Sequence, residues 1–202
     1  MAGELPPAVG DDTVLTPQTS YGTQKAIGEL LVNDYSRKGF VDGRAARLPT
    51  VVVRPGRPNR AASAFASSII REPLAGREAI CPVSPDTVMA LASARRIVEG
   101  LLRAHDLPAD AFGTNRSLQH PGFSVAVGEM AAAVRRAGGG AARARIRWEP
   151  DPQIQQIISG WPQRLLAPRA EALGFAADSG IDEAVAAFIE DDLETQRQLA
   201  AV

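Results

Sequence analysis

Four consecutive β-branched residues, Thr50-Val51-Val52-Val53, stand between Pro49 and the Pro55-Gly56 pair and limit the fold more than any other stretch. A short apolar run without alternation reads as a strand buried on both faces, the environment of a parallel sheet covered by helices. The flanking segments supply such helices. From about Thr19 to Lys38, Ala26, Ile27, Leu30, Leu31 and Tyr35 recur at helical spacing. Thr19 or Ser20 suits the N-cap, and Gly39 suits the position just past the end, behind the basic Arg37 and Lys38. After the strand, Ala61 to Glu72 reads as a helix of small residues. The expected class is α/β.

The remaining elements follow the same logic. Met1 to Thr16, with Gly3, Pro6, Pro7 and Gly10, has little periodicity and reads as loop. Glu78 to Val83 predicts a strand, and Asp86 to Ala104 predicts mostly helix through Val88, Leu91, Ala92, Ile97, Val98, Leu101 and Leu102. Leu118 to Gly122 and Val125 to Val134 read as strand then helix. Gly138-Gly139-Gly140 superficially resembles a phosphate loop, but it lacks Gly-x-Gly-x-x-Gly spacing and precedes the strand-like Ala144 to Trp148, so a flexible connection is expected. Short helices at Asp151 to Ser159 and Ala167 to Leu173 flank Trp161-Pro162, and a terminal helix runs from Ile181 to about Gln198.

Composition excludes several functions. A formal net charge of −1 gives no field for nucleic acid or an anionic membrane, and Arg143, Arg145 and Arg147, alternating on one strand face, read as a solvated surface. The single cysteine, Cys81, forms no internal disulfide, fits a reducing cytoplasm and suits a buried strand end. No apolar run nears the roughly 20 residues of a membrane span, and the amino-terminal residues Glu4, Asp11 and Asp12 do not fit a signal peptide. A cytoplasmic protein is expected. His105 and His120 lack a companion array at ligand spacing, so no metal site is expected, and Glu190-Asp191-Asp192 should face water.

One pair carries chemistry. On the first helix Tyr21 and Lys25 lie four residues apart and project from one face. A free phenol, with a pKa of about 10, is a poor base at neutral pH. A nearby ammonium and the positive helix end both favour the phenolate, and a partly desolvated cleft can supply the roughly 4 kcal/mol needed to bring it toward neutrality. Such a phenol can exchange a proton with a substrate hydroxyl or carbonyl. By itself the spacing more often describes a half-buried aromatic beside a solvated charge.

The surroundings of the pair add to this. The run from Leu15 to Glu29, containing Tyr21-Gly22-Thr23-Gln24-Lys25, resembles the active-site helix of the extended short-chain dehydrogenase/reductases, in their epimerase/dehydratase branch. Arg47 to Asn59 is similar to that family's next strand and nicotinamide-side turn. The resemblance extends from about Asp11 to Leu193 and is most specific in the first 80 residues.

It implies the carboxy-terminal part of a Rossmann-type doubly wound parallel sheet, with a smaller α/β substrate-binding region. Residues 1–60 would be the remnant of the dinucleotide-binding domain and 61–202 mainly the substrate side. It implies NAD as cofactor, a small sugar acid such as D-erythronate as substrate, and oxidation of its C2 hydroxyl, the hydride leaving C2 for NAD. Tyr21 would be the base, and Lys25 would assist it and bind the nicotinamide ribose. Pro55 and Gly56 would pass by the nicotinamide, while Asn59, Ser63 and Arg71 would line the substrate side. Arg71 suits a carboxylate by its fork geometry, although composition alone favours a solvated surface arginine. Family members pair through the active-site helix, which implies a homodimer. Where the family has a Ser-Pro pair this chain has Ser93-Ala94, which should alter a helix start more than the chemistry.

The resemblance places Tyr21 near the middle of a full-length relative. No Gly-x-Gly-x-x-Gly follows any strand in these 202 residues, and the family's catalytic Ser or Thr would lie ahead of Met1, because Thr13, Thr16 and Thr19 are too close to the tyrosine. The chain is therefore expected to be a truncated carboxy-terminal portion, with an apolar parallel edge beside Val51 and weakened or lost NAD binding.

Overall fold

The computed structural model describes residues 5–57, 59 and 61–200. In chain order its elements begin with α1 (Ser20–Arg37), β1 (Ala45–Arg47), β2 (Thr50–Val52), α2 (Ala64–Leu74) and β3 (Ala79–Cys81). They continue with β4 (Val88–Ser93), α3 (Ala94–Asp106), β5 (Ser117–Gln119), β6 (Phe123–Ala126), α4 (Val127–Arg143) and β7 (Ile146–Trp148). The last are α5 (Pro152–Ser159), α6 (Pro168–Ala172), α7 (Ile181–Asp191) and α8 (Leu193–Ala200). The class is mixed α/β, as expected.

The valine run forms β2, which pairs in parallel with β4, Val51 opposite Ala92. Strand β4 also pairs antiparallel with β6, Leu91 opposite Phe123. Two further parallel pairs, β1–β5 and β3–β7, complete the sheet structure. Val52 and Val53 are buried, and they join Ile69, Ile70, Leu91, Met130, Val134 and Phe188 in one core cluster. Helix α2 is its centre: every residue from Phe65 to Leu74 is buried, charged ones included. A second cluster, around Phe112, Leu118, Ala170 and Phe175, lies beneath α3 and α6.

Several expectations need correction. Residues 88–93, expected to be helical, are the central strand β4, and the helix starts only at Ala94. Ser93 caps it, its Oγ accepting from the Arg96 N–H at 3.1 Å, so the missing proline leaves the helix start intact. Gly138 and Gly140 belong to α4, whose axis breaks at Gly139, where φ is +76°. Of the three alternating arginines only Arg147 lies on a strand. Arg143 closes α4 with its guanidinium 5.7 Å from the Trp148 ring, and Arg145 lies between helix and strand. The terminal helix is two helices that meet at Asp192.

The lone thiol is buried at the end of β3, and this burial pushes it up to about 11, away from nucleophile chemistry. No helix among the described residues is long and apolar enough to cross a membrane, and no group of three or more His, Cys, Asp or Glu among them could hold a metal ion.

Candidate active site

Thr19 starts α1. Its Oγ1 accepts from the Gly22 N–H at 3.1 Å, and its carbonyl accepts from the Thr23 hydroxyl at 3.0 Å. This cap fixes the first helical turn and so the direction in which Tyr21 leaves it. Lys25 follows one turn later, its Nζ 5.3 Å from the centre of the Tyr21 ring. Further along, Glu29 ties the helix to the sheet by accepting from Arg47 on β1, Nε to Oε2 at 2.9 Å. The opposite face of α1 is largely exposed: Leu30 is 69% exposed, Ile27 and Leu31 are also exposed, and the exposed Tyr35 meets Phe40 edge-on.

Tyr21 is 71% exposed and stands on the wall shared by two clefts. The first, of about 950 Å³, is mostly apolar, with polar points at Thr19, Thr50, Arg54, Ser63 and Gln119. The second, of about 790 Å³, contains Lys25, Glu29 and Arg47. A third, of only about 120 Å³, lies between Arg54, Pro55, Arg57, Asn59, Ser67 and Arg71. The structure thus brings Ser63 into the large cleft with Tyr21 and places Lys25 in the neighbouring one. Pro55, Asn59 and Arg71 border the small pocket, where the Asn59 Oδ1 accepts from the Ala61 N–H at 3.0 Å and shapes the local turn.

Gly56 has φ of +106°, a conformation that a side chain would resist. Its backbone is held on both sides by one amide: Gly56 N–H donates to Gln196 Oε1 at 2.8 Å, and Gln196 Nε2 donates to Gly56 O at 3.2 Å. Gln196 lies on α8, at the other end of the chain, and is 1% exposed.

Arg71 is not a solvated surface arginine. It is 3% exposed, and its guanidinium is occupied by the chain's own groups. Nε donates to Glu72 Oε1 at 2.7 Å, Nη1 to the Arg54 carbonyl at 2.6 Å and Nη2 to Ser68 Oγ at 3.3 Å. Arg54, overlooked as a site residue from sequence, borders both the large cleft and the small pocket. A signal for it existed: it is the first charge after the carboxyl end of a parallel strand, the edge where ligands of open α/β sheets bind. Gln196 had no such signal, because its role depends on a contact across 140 positions of sequence.

The two histidines separate. His105 is exposed beside Asp106, at 3.0 Å. His120 is buried, with Nδ1 2.7 Å from the Pro121 carbonyl and its ring edge-on to Phe175. Its Nε2 has no hydrogen-bond partner among the described residues.

No family model matches this chain. Among curated proteins it is 52% identical over 189 residues to the D-erythronate dehydrogenase of Cupriavidus necator, covering 94% of this chain and 58% of that protein. It is 47% identical over 191 residues to the D-erythronate dehydrogenase of Haemophilus influenzae, covering 95% and 61%. Among solved structures, a nucleoside-diphosphate-sugar epimerase from Agrobacterium tumefaciens superposes with a TM-score of 0.92 at 45% identity, over 98% of this chain and 58% of that one. An L-threonine 3-dehydrogenase from Trypanosoma brucei gives 0.79 at 25% identity, over 96% and 58%. The chain spans about three fifths of the length of the curated relatives it matches.

Proposed function

We propose that this chain, which belongs to the extended short-chain dehydrogenase/reductase family, carries the proton-transfer and substrate-side machinery of an NAD-dependent dehydrogenase acting on the C2 hydroxyl of a four-carbon sugar acid. The carrying observation is the Tyr21/Lys25 pair, one turn apart on a capped helix and beside a cleft large enough for a small sugar acid. Relatives named D-erythronate dehydrogenase support the substrate class.

The residues present fit the nicotinamide end of NAD. Lys25 lines the second cleft and can donate to ribose hydroxyls, and Gly56, with no side chain and a pinned backbone, permits close approach beside Pro55. They do not supply the pyrophosphate end, because no Gly-x-Gly-x-x-Gly is present in the 202 residues. NAD, when bound, supplies a hydride acceptor. Tyr21 acts as the phenolate, its Oη taking the proton from the C2 hydroxyl and becoming a neutral phenol, and the Lys25 ammonium, within a helical turn, stabilises the negative charge that the phenolate carries before the transfer. Ser63, on the same cleft, orients a further substrate hydroxyl, while Asn59 and Arg71 border the separate small pocket next to Arg54. Residues 1–60 then belong to the cofactor side and 61–202 mainly to the substrate side of a cytoplasmic enzyme.

Calorimetry of NAD(H) on the purified 202-residue chain tests this reading. The expected result is weak, saturable binding that Lys25→Ala abolishes, followed by oxidation of D-erythronate that Tyr21→Phe removes. Binding unaffected by Lys25→Ala overturns the assignment of the pair. Supported by the epimerase structure, a second reading makes the same pair act on a nucleotide sugar. A UDP-sugar bound in place of the acid would select it.

The exposed apolar face of α1 fits a homodimer through this helix. Leu30 and Leu31 replaced together by glutamate are expected to convert a dimer to a monomer in analytical ultracentrifugation. A monomeric wild-type chain overturns the pairing.

A further inference from the structure

Arg54 is the only formally charged residue among the described residues lining the large cleft. The other walls are Leu48, Pro49, Val51, Met89, Ile158, Trp161 and similar apolar groups, with a few neutral polar ones. A guanidinium in such surroundings is costly unless an anion accompanies it. No hydrogen bond or ion pair of the Arg54 guanidinium is found among the described residues, whereas those of Arg71, Arg77 and Arg47 are met by Glu72 and Glu29. On its other side Arg54 borders the small pocket with Arg57 and Arg71, and no carboxylate lines that pocket among the described residues. Glu72 neutralises Arg71 there, so the charge of Arg54 is the one left unmatched in the large cleft by any carboxylate among the described residues.

The backbone that carries Arg54 is held at every polar point. Its N–H donates to Ser67 Oγ at 3.1 Å, and its carbonyl accepts from Arg71 Nη1 at 2.6 Å. Two residues later Gly56 is held twice by Gln196. Ser67, Arg71 and Gln196 are all buried. A surface arginine needs no such support. A recognition residue does, because its geometry must exist before the ligand arrives.

We infer that Arg54 holds the carboxylate of a short hydroxy acid in the large cleft, and that Ser67, Arg71 and Gln196 are positioning residues for it. The inference rests on the sugar-acid reading above and deepens it. Arg71, the arginine whose fork suited a carboxylate from sequence, instead spends that fork on Glu72, Ser68 and the Arg54 carbonyl. Arg54 and Tyr21 line the same cleft, so an acid held by its carboxylate on Arg54 would present the adjacent hydroxyl to the wall that carries Tyr21. That is the orientation a 2-hydroxy acid needs for proton removal.

Calorimetric titration of the 202-residue chain with D-erythronate, with erythritol as its uncharged counterpart, and with a UDP-sugar tests this. Arg54→Gln is expected to weaken erythronate binding by about tenfold or more, the worth of a lost charge-assisted hydrogen bond, and to leave erythritol unchanged. Arg54→Lys keeps the charge and loses the fork, so it should fall between, and it serves as the test if Arg54→Gln does not fold. Gln196→Ala should weaken the acid several-fold and the polyol not at all. Equal losses for both ligands would make these residues structural and overturn their roles. Erythronate binding unchanged in Arg54→Gln overturns this inference alone and leaves the sugar-acid reading standing. A wild-type chain that binds the UDP-sugar and not the acid removes the sugar-acid reading itself, and the inference with it.

Discussion

In the Glu72→Ala protein the unfolding free energy falls by about 3–5 kcal/mol, a large part of the stability of a chain this size. Glu72 is buried in the core helix, and its two oxygens serve two arginines, Arg71 through Oε1 and Arg77 through Oε2. Arg77 is partly exposed and can turn to water. Arg71 cannot, since its side chain is almost fully enclosed. Removing the carboxylate leaves a buried cation whose remaining partners, a carbonyl and a hydroxyl, are neutral. Replacing both members with apolar residues of similar size, Arg71→Met with Glu72→Leu, should recover most of the loss, because the desolvation cost of both charges disappears. Urea unfolding of the three proteins measures this. A Glu72→Ala protein within about 1 kcal/mol of wild type would show that the pair is not the buried anchor described. The double variant also separates stability from recognition: it should fold well yet hold Arg54 less firmly, having lost the donor to the Arg54 carbonyl.

What could be seen in the sequence depended on whether the signal was local. The Tyr21/Lys25 spacing is an i, i+4 relation, and a helix with a capping threonine fixes it without help from the rest of the chain. The valine strand was equally legible, because four β-branched residues between prolines admit few alternatives. Residues 88–93 were not. Val-Met-Ala-Leu-Ala-Ser is a continuous apolar stretch that runs straight into the amphipathic α3, and no glycine or proline marks the junction, so one periodic helix and a strand followed by a helix look alike. Their difference lies in the pairing with β2 and β6, which is tertiary. Gly138 sits close against Leu74 of α2, while Gly139 breaks the α4 axis and Gly140 faces open space. Arg71 was hardest to read. Adjacent residues on a helix do not face each other, so nothing in Arg71-Glu72 announced a pair. Only burial of the whole helix brings the flexible arginine back onto its neighbour.

The same tertiary logic makes Gly100→Ala a severe substitution in a place where helix preference argues for a gain. Gly100 lies inside α3, where alanine is ordinarily favoured over glycine by about 1 kcal/mol. A Cβ there would meet His120 Nε2 at 2.3 Å and Cδ2 at 2.7 Å, with Phe175 Cδ1 at 3.3 Å behind them. The His120 ring cannot easily retreat, being tied through Nδ1 to the Pro121 carbonyl and packed edge-on against Phe175. Overpacking of this kind costs about 1–3 kcal/mol or more, so the clash outweighs the helix gain and the protein is destabilised. His120→Ala alone leaves a cavity and also destabilises, but in the Gly100→Ala background it removes the obstacle. The two losses should be strongly non-additive, with the double variant more stable than their sum. Activity is exposed to the same strain, because His120 follows directly on Gln119, which lines both clefts beside Tyr21 and whose N–H is held by Asp11 Oδ1 at 2.7 Å. A double-mutant cycle by thermal or urea unfolding decides the matter. Simple additivity would mean that α3 shifts away from the imidazole instead of pressing on it.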